Sequence, residues 1–330
     1  MTQSSAVKDP AAGTPDDVEW IDVKVHSVCF EGVNVVSLRL EADDGTALPH
    51  FSPGAHIDLD LGNDLVRQYS LCGSPLEPTW RIAVLRERQS RGGSERAHRL
   101  SCGDRVRVRG PRNHFPLEDA AEYLFIAGGI GVTPILPMLR EAETRGVPWS
   151  LHYGGRTRGS MAFADEIAGY GDKVHLYPQD EVGLLNLTWI LGEPREGVGV
   201  YCCGPEGLLT AIESETESWP HGALHTERFS PAEPVGPRVG DTPFEVECQM
   251  SGVTVTVADD ETILEAVERV GGVIVSSSCR EGTCGTCEAT VLDGVPEHRD
   301  SVLTDDEREA GDVIMTCVSR SCTSRLVLDL

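Results

Sequence analysis

The sequence predicts a multidomain chain: an antiparallel β-barrel, then an α/β parallel-sheet unit, then a small α+β unit. Three observations predict it. Short alternating apolar stretches, punctuated by Gly and Pro, fill the first third. Apolar runs alternate with helical patterns through the middle. A group of cysteines with ligand-like spacing dominates the last part. At 330 residues the chain also exceeds what one hydrophobic core usually fills.

Residues 1–17 are rich in Pro, Ala, Ser and Asp and lack an apolar stretch, so they read as a disordered lead-in rather than a secretory signal. In segment 18–116, Ile21-Asp22-Val23-Lys24-Val25 and Val35-Val36-Ser37-Leu38-Arg39-Leu40 alternate at the strand period. Turn signals stand at Gly45, Pro53-Gly54, Gly62 and Gly103-Asp104, the pattern of an antiparallel barrel or sandwich. In segment 117–229, strand patterns at 123–127, 149–153, 174–177 and 198–202 are interleaved with helical patterns at 134–144, 161–167, 187–191 and 205–217. That alternation predicts a parallel sheet with helical crossovers. Residues 230–241, with three Pro and two Gly, read as a linker. In segment 242–330, strands at 244–250 and 253–257 flank Ser251-Gly252. A helix follows at 262–270, with Ile263, Ala266, Val267 and Val270 on one face.

The balance of 28 Lys+Arg against 53 Asp+Glu, a net charge of −25, argues against nucleic acid or anionic membranes as partners. Against that background, residues 65–115 hold eleven Arg and four acidic residues, which points to a bound anion or to a solvated basic strand face. Eleven cysteines, an odd number with uneven spacing and no export signal, argue for a reduced, cytoplasmic setting with metal-binding thiols.

Cys279, Cys284 and Cys287 stand at C-x4-C-x2-C, and Cys317 follows with 29 residues between it and Cys287. This is the plant-type spacing for a 2Fe-2S cluster, which needs two thiolates per iron. Gly282 and Gly285 let the backbone wrap closely. A structural zinc usually takes two C-x2-C-like pairs, and one is present. Cys322 competes with Cys317 as fourth ligand; Cys317 is preferred because the apolar run Val313-Ile314-Met315 anchors it.

With Glu297-His298-Arg299-Asp300-Ser301-Val302-Leu303 and Cys317-Val318-Ser319-Arg320, the cysteine segment resembles the C-terminal β-grasp ferredoxin domain of the phthalate dioxygenase reductase family. That family includes vanillate demethylase reductases and lies in the ferredoxin–NADP reductase superfamily. The resemblance implies a flavin barrel in front. Arg67-Gln68-Tyr69-Ser70-Leu71 matches the family's R-x-Y-S-L. It implies that Tyr69 packs on the flavin ring, Ser70 bonds the N5 edge and Arg67 pairs with the phosphate, with Gln68, Val84 and Arg86 in the same site. Arg91-Gly92-Gly93-Ser94, ahead of a helix expected at 95–100, is a candidate anion cradle. Pro111-Arg112-Asn113-His114-Phe115-Pro116-Leu117 resembles the stretch that closes the family's barrel. A C-terminal ferredoxin marks the branch that binds FMN rather than FAD.

For the middle segment the resemblance implies a nicotinamide site. Gly128-Gly129-Ile130-Gly131-Val132-Thr133-Pro134 is similar to the superfamily's G-G-x-G-x-T-P loop, although it is not G-x-G-x-x-G. Cys203-Gly204-Pro205 is similar to its C-G-P turn, which puts Cys203 beside the carbon that gives up hydride. Phe229 stands where the family places an aromatic over the flavin. Family likeness favours NADH, while Arg156 and Arg158 suit the 2′-phosphate of NADPH. The resemblance as a whole implies a monomeric NADH-dependent reductase. It would pass electrons through FMN and the cluster, one at a time, to an oxygenase docked near the acidic ferredoxin domain. The partner is a Rieske-type oxygenase or demethylase of small aromatic acids. A haem (cytochrome P450-type) monooxygenase is the alternative partner; the minor alternative is that the chain itself is a non-enzymatic redox sensor.

Overall fold

The computed structural model describes residues 19–63, 65–87, 90, 92–232 and 235–330. The expected lead-in at 1–17, and Arg91 of the expected anion cradle, lie outside these residues.

The first unit carries β1 (Ile21–Gly32), β2 (Val35–Ala42), β3 (His56–Asp60), β4 (Val66–Ser70), β5 (Trp80–Leu85), the short helix α1 (Gly93–Ala97) and β6 (Arg105–Arg112). The order is β4-β3-β6-β1-β2-β5, antiparallel throughout. A bridge between Leu71 and Ile82 ties the β4 end to β5, so the two outer strands meet and the sheet curls into a barrel. Every second residue points inward: Val23, Val25, Leu38, Leu40, Ile57, Leu59, Trp80 and Ile82 are buried in one cluster. Helix α1 starts two residues earlier than the sequence pattern suggests, because Gly92 (φ 91°) takes the left-handed conformation that precedes it.

The second unit runs β7 (Glu122–Gly128), α2 (Val132–Arg145), β8 (Trp149–Gly155), α3 (Ala164–Ala168), β9 (Val174–Pro178), α4 (Gln179–Val182), α5 (Leu187–Leu191), β10 (Val198–Cys203), α6 (Glu206–Glu215) and β11 (Leu224–Glu227). Its sheet is wholly parallel, in the order β11-β10-β7-β8-β9. From β7 the chain winds outward through β8 and β9, then returns to β10 on the other side. The switch point therefore lies between the carboxyl ends of β7 and β10, where open α/β sheets bind their ligands. Strands β7 and β10 are buried on both faces, which is why they read as unbroken apolar runs.

The third unit contains β12 (Phe244–Cys248), β13 (Val253–Val257), α7 (Ile263–Val270), β14 (Glu288–Asp293), β15 (Pro296–Glu297), α8 (Asp305–Ala310), β16 (Val313–Met315), β17 (Arg320–Ser321) and β18 (Arg325–Leu328). Its sheet order is β13-β12-β18-β14-β16, with β12 and β18 parallel. Helix α7 opens with a capping box, Thr262 and Glu265 exchanging bonds, and buries Ile263, Ala266 and Val267 on the sheet and Leu264 in the cluster that holds Cys287 and Cys317. Among the described residues no helix is long and apolar enough to cross a membrane.

Candidate functional site

A cavity of about 410 Å³ opens where the three units meet, within the size range of small-molecule sites. The barrel gives Arg67, Gln68, Tyr69 and Ser70 from β4, together with His56 and Leu85. The segment around α1 gives Glu87, Ser90, Gly93 and Ser94; the parallel-sheet unit gives Ile130, Thr133 and the run 227–230; the cysteine loop gives Cys279, Glu281 and Thr283. Residues separated by more than 200 positions thus line one space.

On the barrel side the parity of β5 matters. Ala83 and Leu85 line the cavity, whereas Val84, expected there, is buried in the barrel core. Alternation along the strand forces that choice. Arg86 is exposed and does not line the cavity. Gly93 must lack a side chain: a Cβ there would stand 2.7 Å from Arg67 Cγ. Ser94 donates through Oγ to Ser90 and accepts from the Glu87 N–H, which ties these three cavity-lining residues together. His56 lines the cavity, and its Nε2 is buried without a protein partner. Burial pushes its pKa down to about 3, so the ring is neutral and has an open hydrogen-bonding position. An unpaired buried nitrogen, a side-chain-free turn and an aromatic wall at Tyr69 together fit a planar heteroaromatic phosphate such as FMN.

At the switch point two glycine turns interlock. A Cβ on Gly131 would lie 2.2 Å from the Cys203 carbonyl oxygen, and one on Gly128 would lie 2.6 Å from Pro205 Cδ. The expected loop and the C-G-P turn are therefore packed backbone to backbone. Cys203 is fully buried and does not itself line the cavity, and its thiol is held protonated, chiefly by burial. Pro134 sits in the first turn of α2, and the Thr133 hydroxyl donates to the Ile130 carbonyl. Phe229 lines the cavity while remaining 43 % exposed. Arg156, beyond β8, is exposed and lies off the cavity, and its carbonyl accepts from the Asp180 N–H in α4.

The sequence pattern did not single out Glu227. Parallel pairing places it beside Cys203, with Sγ 4.0 Å from its carboxylate, and burial pushes its pKa up to about 8. The folded chain therefore keeps this proton between pH 4.5 and 8, whereas the unfolded chain releases it. The carboxyl costs stability increasingly as pH rises through that window. Glu227→Gln is expected to flatten this slope, raising the melting temperature most at pH 8 and hardly at all at pH 5. Thermal melts across the range check it.

The cysteine loop follows α7. Glu281 and Thr283 aim N–H groups at Cys279 Sγ, at 3.3 and 3.5 Å, which stabilises a thiolate. Gly282 and Gly285 both take φ 69°, and a Cβ on Gly282 would stand 2.6 Å from Val318. The four thiols form a chain of contacts, Cys284 to Cys279 to Cys317 to Cys287. Contact with Cys279 and burial hold Cys284 and Cys317 protonated, so four anions here require a cationic centre between them. Among the described residues no three His, Cys, Asp or Glu side chains gather round one point as a lone ion needs. Four thiols in mutual contact supply the two thiolates per iron that a 2Fe-2S group needs. Cys322 is exposed, with its Sγ toward the Pro296 carbonyl. The stretch 297–303 acts as a strut. Arg299 pairs with Asp241 at the linker end, Ser301 accepts from the Ala232 N–H through Oγ, and the Ser301 N–H donates to the Gly282 carbonyl.

Residues 246–322 match the family model described as a 2Fe-2S iron-sulfur cluster binding domain. The chain is 42% identical over 314 residues to the phenoxybenzoate dioxygenase subunit beta of Ectopseudomonas oleovorans, covering 94% of this chain and 97% of that protein. Among solved structures, phthalate dioxygenase reductase, a modular structure for electron transfer from pyridine nucleotides to [2Fe-2S], superposes with a TM-score of 0.69 at 35% identity. The match covers 96% of this chain and all of that one. An intact type IV self-sufficient cytochrome P450 monooxygenase superposes with a TM-score of 0.90 at 42% identity over 98% of this chain, which spans 43% of that longer one.

Proposed function

The chain belongs to the oxygenase reductase family that includes the phenoxybenzoate dioxygenase and phthalate dioxygenase reductases, and from that premise we propose that it is the NADH-dependent reductase component of a Rieske-type oxygenase or demethylase of small aromatic acids. The observation that carries this reading is the shared cavity: a barrel wall, a nucleotide switch point and a ligand cysteine border the same space. A bound FMN would supply the exchange between the electron pair of NADH and the single electrons that a 2Fe-2S cluster carries.

In this reading Tyr69 supplies the aromatic wall and Ser70 the hydroxyl that orients the ring edge. Arg67, with Gly92, Gly93 and Ser94, takes the phosphate. Gln68 is held by Asp58 and braces the strand. Gly129, Gly131, Thr133 and Pro134, interlocked with Cys203, Gly204 and Pro205, form the shelf for the nicotinamide. The buried Cys203 thiol keeps that shelf small and dry. Phe229 covers the cavity until NADH displaces it. No residue need act as general base. Glu227, protonated below about pH 8, presents no charge to an approaching nicotinamide. Cys279, Cys284, Cys287 and Cys317 hold the cluster. Family likeness supports NADH over NADPH, and the exposed Arg156 stands off the cavity.

The acidic third unit suits a basic patch on the oxygenase. The second reading, delivery to a haem monooxygenase, draws on the likeness to the self-sufficient P450 chain. An ultraviolet–visible spectrum of the purified protein tests the proposal. Flavin and cluster bands are expected, bleached at once by NADH and slowly by NADPH, with continuing NADH consumption when a dye acceptor is supplied. A single reduction that then stops would identify a sensor, and absence of a flavin band would refute the reductase.

A further inference from the structure

Asp58, on β3, has a side chain with no exposed surface. Arg109 donates to its Oδ2 at 3.0 Å and Arg112 to its Oδ1 at 2.7 Å. Gln68 Nε2 also donates to Oδ1, at 2.7 Å. Burial alone would push this carboxyl up, but Arg112, Gln68 and Arg109 hold it below its usual range. The remaining donor comes from another unit: Ser278 Oγ donates to Asp58 Oδ1 at 3.0 Å and accepts from Gln68 Nε2. One hydroxyl thus acts as donor and acceptor at once, which fixes its rotamer. A second contact lies seven residues on. Gly285 meets the His114 ring so closely that a Cβ would stand 2.4 Å from Nε2. His114 stacks in turn on His56, at 5.7 Å between centroids, and His56 lines the cavity.

Ser278 precedes Cys279, and Gly285 follows Cys284. The two contacts therefore bracket the first two cysteines of the loop. We infer that Asp58–Ser278 and His114–Gly285 are a docking key that seats the cysteine loop on the barrel and sets the spacing between flavin and cluster. The inference rests on the reductase reading. Ser278 and Asp58 are positioning residues that touch neither reacting group. Because electron tunnelling decays steeply with distance, a loosened key slows the second transfer and leaves the first alone.

Ser278→Ala and Ser278→Thr holoproteins test this. Anaerobic stopped-flow mixing with NADH separates flavin bleaching from cluster reduction. Trypsin digestion at Arg238 in the 230–241 linker reports undocking independently of activity. The flavin phase is expected to keep its wild-type rate in both variants. In Ser278→Ala the cluster phase is expected to slow by about tenfold, the scale of one hydrogen bond to a charged acceptor. Linker cleavage is expected to speed up, with iron content and the spin-resonance signal unchanged. Ser278→Thr, which keeps the hydroxyl, is expected to restore both rates. A cluster phase and a cleavage rate at wild-type values in Ser278→Ala overturn the docking key, as does loss of iron from that variant. Failure of NADH to bleach the wild-type protein would instead overturn the reductase reading itself.

Discussion

Cys287→Ser is expected to abolish electron delivery to a one-electron acceptor such as cytochrome c while leaving NADH–ferricyanide turnover near wild type. Cys287 is buried, its carbonyl is gripped by the Thr316 hydroxyl at 2.9 Å, and its thiol meets Cys317. Serine keeps the size but offers iron a far weaker donor than thiolate. Removing a partner of a metal ligand typically costs about 10–100-fold, so losing a ligand is expected to cost at least about 100-fold in cytochrome c reduction. In the proposed reading hydride enters at Tyr69, Ser70 and the glycine turns, outside the cysteine loop, so two-electron dye reduction is expected to continue. Cys322→Ser is the internal control. Its thiol is exposed, and both activities are expected to be unchanged. Parallel steady-state assays of the two variants decide the point, and equal loss in both assays for Cys287→Ser would count against a sequential relay.

The second large effect is expected at Gly131. A Cβ there meets the Cys203 carbonyl oxygen at 2.2 Å and its carbon at 2.4 Å. Both are backbone atoms in a fully buried strand end, so no side chain can swing aside. Gly131→Ala must part the two turns at the switch point, at a cost of about 1–3 kcal/mol for overpacking. A misplacement near 1 Å costs about 100-fold in an oriented reaction, so NADH-driven bleaching is expected to fall by about that factor while dithionite still reduces the protein. Gly129→Ala is the comparator. Its φ of 56° strains a side chain, but nothing lies within 4 Å. It is expected to lose only about 1–2 kcal/mol, the cost of a left-handed residue. Thermal melts and stopped-flow traces of both variants separate strain from displacement.

Much of this arrangement was legible because it is written in local periodicity. Unbroken apolar strands announced the parallel sheet, and C-x4-C-x2-C announced the cysteine loop. What escaped depends on distant pairing. Glu227 stands in an unremarkable His-Thr-Glu-Arg-Phe run, and only the β10–β11 register brings it to Cys203. Asp58 and Ser278 are 220 positions apart, and neither residue type signals an interface. The exchange of Val84 for its neighbours is different, because the signal was available. The bulky inward residues Trp80 and Ile82 set the parity of β5, which puts Val84 inside and Ala83 and Leu85 toward the cavity. The 297–303 stretch was recognisable as a motif, but its part in tying linker to cysteine loop is visible only in three dimensions.

The most direct test of the relay is electron spin resonance of the protein reduced anaerobically with NADH, paired with an iron assay. Four thiols in contact, with Cys279 at the cavity edge, predict a rhombic signal from a reduced two-iron centre and two irons per chain, reached through the flavin with no added mediator. Iron near zero, or a full complement of iron that NADH leaves silent, would contradict the account.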